Sequence, residues 1–148
     1  MQIYFAAPLF CDAELQFNEE VSGMLEDAGH SVFLPQRDGW SEMDEEYRQQ
    51  VVEEGGPEAK MEKIFEIDRD EVYAADLLTA VLDGRVPDEG VALEMGLAYA
   101  NDIPVVGLKT DRRVFSPDEP LNAMLYGVLE ELTETPQELV ETVAKFEE

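Results

Sequence analysis

The stretch "LLTAVLDGRVPDEGVALEMGLAYANDIPVVGL" (residues 77–108) decides the fold. Residues 77–83 form a nearly continuous apolar run, which predicts a buried strand, and residues 103–108 predict another. Between them, residues 91–100 are apolar or glycine except for Glu94, and the segment is long enough for a helix of about three turns. Apolar strands that alternate with helices are typical of a parallel sheet covered on both faces.

The first half of the chain continues this alternation. "QIYFAA" (residues 2–7) and "SVFLP" (31–35) predict two more strands, with an amphipathic helix between them. A turn-rich loop "QRDGW" (36–40) follows, and then an acidic helix near Glu45–Glu54. A break at Gly55-Gly56 separates that helix from a long one that begins at about Pro57.

The carboxyl-terminal part completes the pattern. "GVLEELTE" (127–134) predicts a short edge strand, and "TPQE" (135–138) predicts a capping box that opens a last helix. We therefore expect an α/β fold that is flavodoxin-like and doubly wound, with about five parallel strands and helices on both faces. A chain of 148 residues with 45% hydrophobic residues is typical of one core, so residues 1–148 are expected to form a single domain.

The composition limits the partners and the compartment. The 35 acidic and 10 basic residues give a net charge of −25, which repels nucleic-acid phosphates and anionic membranes, so a small molecule is the expected partner. Such a surface is typical of a folded protein from a high-salt, halophilic cytoplasm. Cys11 is the single cysteine and no apolar run reaches the ~18 residues of a membrane span, so we expect a cytoplasmic location.

Glu94 is the first candidate for chemistry. Its helical neighbours at three- and four-residue spacing are apolar or glycine, so none of them can pair with its carboxylate: they are Gly90, Val91, Leu97 and Ala98. An unpaired buried carboxylate costs several kcal/mol. Glu94 therefore either belongs to a buried ion pair, occupies an exposed position, or faces a ligand pocket.

A second acid interrupts a second apolar stripe. The helix "PEAKMEKIFEIDRDEVYAAD" (57–76) has an inner stripe made of Met61, Ile64, Phe65, Val72 and Ala75, and Asp68 lies within it at the same spacing. Paired carboxylates suit glycosyl transfer, in which one attacks the anomeric carbon and the other manages the proton of the leaving group.

Other chemistries find few residues in this chain. His30 is the only histidine and is expected to be a turn residue, so no His-based triad can be built. There is no His/Cys cluster for zinc and no glycine-rich phosphate loop, so we expect neither a metal nor a cofactor. Asp83, Asp88 and Glu89 have the chemistry to bind a cation, but solvated or helix-capping roles suit them better.

Four motifs together resemble the nucleoside 2-deoxyribosyltransferase family, in matching order and over nearly the whole chain. They are "IYFAAPLF", "FLPQRDG", "ADLLTAVLDGRVPDEGVALEMGLAYA" and "LNAMLYG". The combination is specific because a strand ending in "LDG", an aspartate six residues before a helical glutamate, and a trailing Asn-x-Met occur together. The resemblance implies the fold predicted above, a role in nucleotide salvage, and 2′-deoxynucleosides and free nucleobases as substrates.

The resemblance also implies roles for individual residues. Glu94 matches the nucleophile that forms a covalent deoxyribosyl ester, and Asp68 matches the acid that exchanges a proton with the base. Asp88 matches the residue that holds the sugar hydroxyls. Tyr4 matches a tyrosine whose hydroxyl orients the glutamate, a role that we expect at the end of the first strand, although a core aromatic would fit the strand periodicity equally well.

Further matches concern the base and a neighbouring subunit. Gln36, Asp38 and Phe10 match positions around the base, and Trp40 is expected to add a lid. Asn122 matches an asparagine that reaches the sugar in a neighbouring subunit's site, which implies a homo-oligomer, a dimer or larger.

Two alternatives remain open from the residues. A hydrolase of 2-deoxynucleoside 5′-monophosphates shares the Tyr, Asp and Glu positions but needs a phosphate site, for which Arg37, Arg112 and Arg113 are the candidates. A phosphoacceptor signalling domain would use Asp83 and Lys109, but it gives no reason for Glu94 or Asp68.

Overall fold

The computed structural model describes residues 1–147 and contains a five-stranded sheet in which every pair of neighbouring strands is parallel. The strands lie in the order β2-β1-β3-β4-β5. Their bounds are Gln2–Ala6 (β1), Ser31–Phe33 (β2), Leu77–Val81 (β3), Val105–Leu108 (β4) and Glu131–Thr133 (β5). The predicted number of strands and their parallel direction are confirmed, and each strand from β1 to β4 is one to two residues shorter than the apolar run that predicted it.

Helices cover both faces of this sheet, as a doubly wound fold requires. Their bounds are Asp12–Asp27 (α1), Pro35–Asp38 (α2), Glu45–Ala74 (α3), Glu89–Ala100 (α4), Ala123–Tyr126 (α5) and Pro136–Ala144 (α6). Side chains of β1 alternate between two buried clusters. Phe5 packs with residues of α1 and α6 on one face, whereas Tyr4 packs with residues of α3 and α4 on the other.

The loop predicted over residues 36–40 is wrong in part. Pro35–Asp38 forms the short helix α2, and a 3-10 turn follows at Trp40–Glu42. Pro35 occupies the first helical position, where its missing N–H costs nothing and its fixed φ favours a helix. The sequence pattern of Gly, Asp and Gln indicated turns but gave no length, and one helical turn satisfies the same residues.

The break predicted at Gly55-Gly56 is confirmed as a kink within α3. Gly56 has φ 70° and ψ −164°, inside an otherwise helical run of 30 residues. A positive φ is the left-handed region that favours glycine, and Pro57 next to it lacks the N–H that a straight helix would use. The second half of α3, after this kink, carries Asp68.

The inner stripe predicted for this helix is only half correct. Val72 and Ala75 are buried, but Met61 is 62% exposed and Phe65 is 49% exposed. The end of α3 is followed at once by β3, so Val72 lies over the sheet, whereas Met61 lies eleven residues earlier, about 16 Å along the helix axis. Because β1 has only five residues, or about 16 Å at 3.3 Å each, Met61 lies about level with the carboxyl ends of the strands.

No helix among the described residues is long and apolar enough to cross a membrane.

Candidate active site

Glu94 and Tyr4 form the centre of the site. The Tyr4 hydroxyl donates a hydrogen bond of 2.7 Å to Glu94 Oε1, although the two residues are 90 positions apart. Tyr4 lies in the middle of β1 rather than at its end, is fully buried, and stacks on Phe33 with ring centroids 5.6 Å apart. Glu94 lies in the second turn of α4, which brings its carboxylate over β1. A buried, packed phenol is therefore the fixed partner of a carboxylate that has no helical neighbour to pair with.

Burial sets the protonation of Glu94. Desolvation raises its pKa from 4.5 to about 8, and repulsion from Asp68 and Asp88 adds to the effect. The hydrogen bond from Tyr4 opposes the shift because it stabilises the ionised form. Burial and the negative charge of Glu94 in turn raise the pKa of Tyr4 well above its ordinary value, so that its hydroxyl stays a donor.

Asp68 is the second acid of the site. Burial raises its pKa from 3.8 to about 6, and the charge of Glu71 adds to this. The charge of Asp68 raises the pKa of Glu94 further, so the carboxyl of Asp68 on α3 lies near that of Glu94 on α4. Within residues 1–147, no lysine or arginine forms an ion pair with either of them. Strongly perturbed acids without a cation are typical of functional sites rather than of stabilising ion pairs.

Asp88 begins α4 as its N-cap. Its Oδ1 accepts hydrogen bonds from the backbone N–H groups of Gly90, at 2.9 Å, and Val91, at 3.1 Å. The capping role expected from its position is therefore present, and its charge also acts on Glu94. Its second carboxylate oxygen makes no hydrogen bond in the described part of the chain and is free to accept one from a ligand.

The two polar residues expected around the base are hydrogen-bonded to other residues of the protein. Gln36 Oε1 accepts a hydrogen bond from Asn18 Nδ2 at 2.9 Å, and Gln36 Nε2 donates one to the Leu15 carbonyl at 3.0 Å. Asp38 accepts from Arg37 and from the backbone of Leu34, each at 2.8 Å, and these partners hold the pKa of Asp38 below its ordinary value.

The two aromatic residues expected near the base lie in different surroundings. Phe10 is exposed in the loop between β1 and α1. Trp40 lines a cavity of about 400 Å³ together with Arg48 and Lys60, and none of Tyr4, Asp68 and Glu94 lines that cavity. The structure therefore groups Tyr4 with Glu94 by a hydrogen bond, and Asp68 and Asp88 with Glu94 by their charges. None of the four residues expected around the base makes a hydrogen bond to this group among residues 1–147.

Asn122 has a helix-capping role in the structure. It is the N-cap of α5, where its Oδ1 accepts from the backbone N–H of Met124 at 2.8 Å. Within the described chain it makes no hydrogen bond to Tyr4, Asp68 or Glu94. Met124 and Tyr126, beside it, are exposed apolar side chains on the same short helix.

Sequence reasoning missed one buried polar residue that holds Gln36, a residue expected near the base. Asn18 is buried on the inner face of α1, and its Nδ2 donates to the Pro8 carbonyl and to Gln36 Oε1, each at 2.9 Å. It thereby joins the loop after β1 to α2. The signal was available, because Asn18 interrupts the apolar spacing of Leu15, Val21 and Leu25 as Asp68 interrupts its own stripe.

Asp83 is engaged in a structural role. Its carboxylate accepts from the backbone N–H groups of Thr110 and Asp111 and from the Thr110 hydroxyl, at 2.6 to 2.9 Å. Lys109 pairs with Asp111 at 2.9 Å. Both residues of the expected phosphoacceptor site thus hold the loop after β4 in place. No group of three or more metal-ligating side chains is found in residues 1–147.

Comparisons with known proteins point to one family. The sequence model of a family described as nucleoside 2-deoxyribosyltransferase matches residues 3–139. A conserved protein from Enterococcus faecalis has a similar structure, with a TM-score of 0.78 and 29% identity over 97% of both chains. A search of curated proteins finds no match.

Two further solved structures share the fold at lower identity. A 2-deoxyribosyltransferase from Bacillus psychrosaccharolyticus is 23% identical, with a TM-score of 0.74 over 95% of this chain and 90% of that one. A CMP N-glycosidase from Clostridium botulinum is 16% identical, with a TM-score of 0.60 over 97% of this chain and 99% of that one.

Proposed function

Because the chain belongs to the nucleoside 2-deoxyribosyltransferase family, we propose that it transfers the 2-deoxyribosyl group of a 2′-deoxynucleoside to a free nucleobase, with Glu94 as the nucleophile. The family supports glycosyl transfer or the related cleavage of an N-glycosidic bond, and the covalent route is the finer part of the proposal. One observation carries it: a buried carboxylate bonded to Tyr4 at 2.7 Å, next to a second perturbed acid and without a cation.

In the first step, a carboxylate oxygen of Glu94 attacks C1′ of the sugar. The C1′–N bond breaks, its electron pair goes to the nitrogen of the base, and Asp68 donates a proton to the base. The products are an ester between Glu94 and C1′ and a neutral free base. Tyr4 occupies Oε1, so Oε2 is the oxygen available for the attack.

In the second step, a nitrogen of the incoming base attacks C1′ of the ester. Glu94 leaves as a carboxylate, and Asp68 takes the proton that the incoming base loses. The Tyr4 hydroxyl donates a hydrogen bond to the Glu94 carboxylate before the first step, when it is the nucleophile, and again after the second step, when it is the leaving group. It stabilises the negative charge in both cases. Water in place of the base would give free sugar.

The two raised pKa values suit this use of one proton. At neutral pH the pair of Glu94 and Asp68, with pKa values of about 8 and about 6, holds a single proton between them. The resting site keeps that proton mostly on Glu94, and the attack requires it on Asp68. A bound substrate that hydrogen-bonds Asp68 with a basic ring nitrogen favours the second arrangement.

The remaining residues bind the substrate in this proposal. The free carboxylate oxygen of Asp88 accepts a hydrogen bond from a sugar hydroxyl, since the other oxygen caps α4. Gln36 and Asp38 present the polar edge of the base subsite, with their present bonds keeping them oriented, and Phe10 and Trp40 cover the base. Each of these roles rests on the family's pattern of residues.

Asn122 completes the site of a neighbouring subunit in this proposal, and the enzyme is a homo-oligomer. One observation supports an interface at α5: the exposed side chains of Met124 and Tyr126 follow Asn122 on that helix. Exposed apolar side chains in a group are typical of contact surfaces.

The proposal is tested by incubating the enzyme with a 2′-deoxynucleoside, with and without a second free base, and separating the products by chromatography. A new nucleoside means transfer, and free sugar alone means hydrolysis. Glu94→Gln is the control, because a neutral amide of the same shape cannot form the ester. Intact-mass spectrometry of acid-quenched enzyme is expected to detect a deoxyribosyl adduct on the wild type only. A wild type without an adduct and with hydrolysis alone would contradict the transferase mechanism.

The hydrolase of 5′-monophosphates is the weaker alternative on charge. Arg37 is paired with Glu26 and Asp38, and Arg113 is paired with Asp111. Of the three candidate phosphate ligands, only Arg112 makes no ion pair among residues 1–147. A 5′-monophosphate arm in the same assay distinguishes the two substrates.

A further inference from the structure

One face of α3 continues from the protein core to the protein surface. Met61, Phe65, Asp68 and Val72 are four, three and four residues apart, so they lie on the same side of the helix. Val72 is fully buried, Asp68 is partly buried, Phe65 is 49% exposed and Met61 is 62% exposed. The face that carries Asp68 thus extends past it through Phe65 and Met61, which form an apolar wall with exposed side chains.

Phe65 lies close to the place where Asp68 would contact the base. Asp68 exchanges its proton with a ring nitrogen of the base, so the base lies within hydrogen-bond distance of its carboxyl. Phe65 is one turn away on the same face, about 4.5 Å along the helix axis toward the open end. A planar heterocycle in contact with Asp68 is wide enough to reach over this turn.

The ring of Phe65 is held in place on one side. The Arg69 guanidinium lies over it, 5.5 Å from the ring centroid, and Arg69 is itself paired with Asp70 at 2.7 Å. This arrangement fixes the ring orientation and covers one ring face. Phe65 is nevertheless 49% exposed, so part of its side chain is available for stacking.

We propose that Phe65 stacks on the nucleobase and forms the inner wall of the base subsite, with Met61 extending that wall outward. The inference rests on the proposed function, and it adds two residues that the motifs do not contain. The position beside Asp68 favours a nucleobase over a second copy of the chain at this surface, because the proposed role of Asp68 brings the base within reach of Phe65.

The test compares Phe65→Ala and Phe65→Leu with a matched control, Tyr73→Ala. Tyr73 is an aromatic residue on the same helix, 45% exposed, but it lies at the opposite end of the sheet. The measurements are kcat/KM for purine and pyrimidine deoxynucleosides and the KM of the acceptor base. Circular dichroism melts check that each variant is folded. Because the Phe65 side chain is exposed, its replacement is expected to leave the fold intact.

Phe65→Ala is expected to lower kcat/KM by roughly 5- to 150-fold, the range that corresponds to ~1–3 kcal/mol of base stacking. The acceptor KM rises, purine substrates lose more than pyrimidines because their rings are larger, and Phe65→Leu retains part of the activity. Tyr73→Ala is expected to stay within about twofold of the wild type, as is usual for surface substitutions away from a site.

Three results would overturn the inference. The first is a Phe65→Ala enzyme no more impaired than Tyr73→Ala. The second is a loss that is equal for all bases, leaves the acceptor KM unchanged, and disappears at high protein concentration while sedimentation reports dissociation, because this would identify the wall as a subunit interface. The third is a wild type that cleaves no deoxynucleoside, which overturns the proposed function as well and is recognised before any variant is compared.

Discussion

Replacing Glu94 by glutamine is expected to stabilise the fold at neutral and alkaline pH. The folded protein raises the pKa of this carboxyl from 4.5 to about 8, so it binds the proton more tightly than the unfolded chain does. Ionisation of Glu94 therefore opposes folding. The penalty is absent below the unfolded pKa, grows between the two pKa values, and is constant above the folded one. Glutamine carries no charge at any pH, and its carbonyl oxygen can accept the Tyr4 hydrogen bond in place of Oε1.

The size of the effect follows from the two pKa values. A tenfold difference in proton affinity corresponds to ~1.4 kcal/mol. At pH 7 the interval from 4.5 to 7 gives a penalty of about 3 kcal/mol, and above the folded pKa the full interval gives about 5 kcal/mol. Salt screens the part that comes from Asp68 and Asp88, so these values are upper bounds. A gain of about 3 kcal/mol raises the Tm of a chain of this size by roughly 6–12 °C.

The assay is a set of urea and thermal melts of wild type and Glu94→Gln from about pH 4 to pH 9 at one salt concentration. Glu89→Gln is the matched control, because Glu89 is an exposed glutamate in the first turn of the same helix. The Glu94→Gln curve should meet the wild-type curve near pH 4 to 5 and separate from it as the pH rises, whereas the Glu89→Gln difference should stay nearly constant. A Glu94→Gln gain that does not depend on pH, or a variant less stable than the wild type at pH 8, would refute the reasoning.

Three other predictions follow from the site and the charge. A plot of wild-type kcat/KM against pH should be bell-shaped, with limbs near pH 6 and pH 8. Asp68→Asn should lose the alkaline limb and should slow the release of poorly activated bases more than that of good leaving groups. An unchanged profile would contradict the proposal that Glu94 and Asp68 share one proton. Tyr4→Phe removes the hydrogen bond that lowers the pKa of Glu94, so the alkaline limb should move to higher pH while kcat/KM falls. A limb that moves to lower pH would count against this role of Tyr4. Raising the salt concentration from ~0.01 M to ~1 M shortens the Debye length from about 30 Å to about 3 Å and screens the repulsion that follows from 35 acidic and 10 basic residues. The Tm in thermal melts and the oligomer size in sedimentation should therefore rise together. A flat Tm would mean that this repulsion does not limit stability.

The sequence determined the fold through local patterns. Residues 77–108 and residues 2–35 each contain the strand, helix and strand of a parallel unit, and their apolar runs require cover on both faces of the sheet. The same kind of local reasoning found Glu94 and Asp68, because a charged residue inside an apolar helical stripe is visible without any tertiary contact. The kink at Gly56 was visible for a similar reason, since Gly-Gly-Pro has few helical alternatives.

Only the tertiary structure decided which of these residues meet and in what state. The bond between Tyr4 and Glu94 depends on the pairing of β1 with β3 and on the path of α4 over them, across 90 residues of chain. The exposure of Met61 and Phe65 could not be predicted, because periodicity defines the face of a helix but not how much of that face the rest of the chain covers. Tertiary contacts also decided the hydrogen-bond partners of Gln36 and Asp38 and the burial that raises the pKa of Glu94 to about 8. Desolvation depends on every atom that surrounds a group, and most of those atoms come from distant parts of the chain.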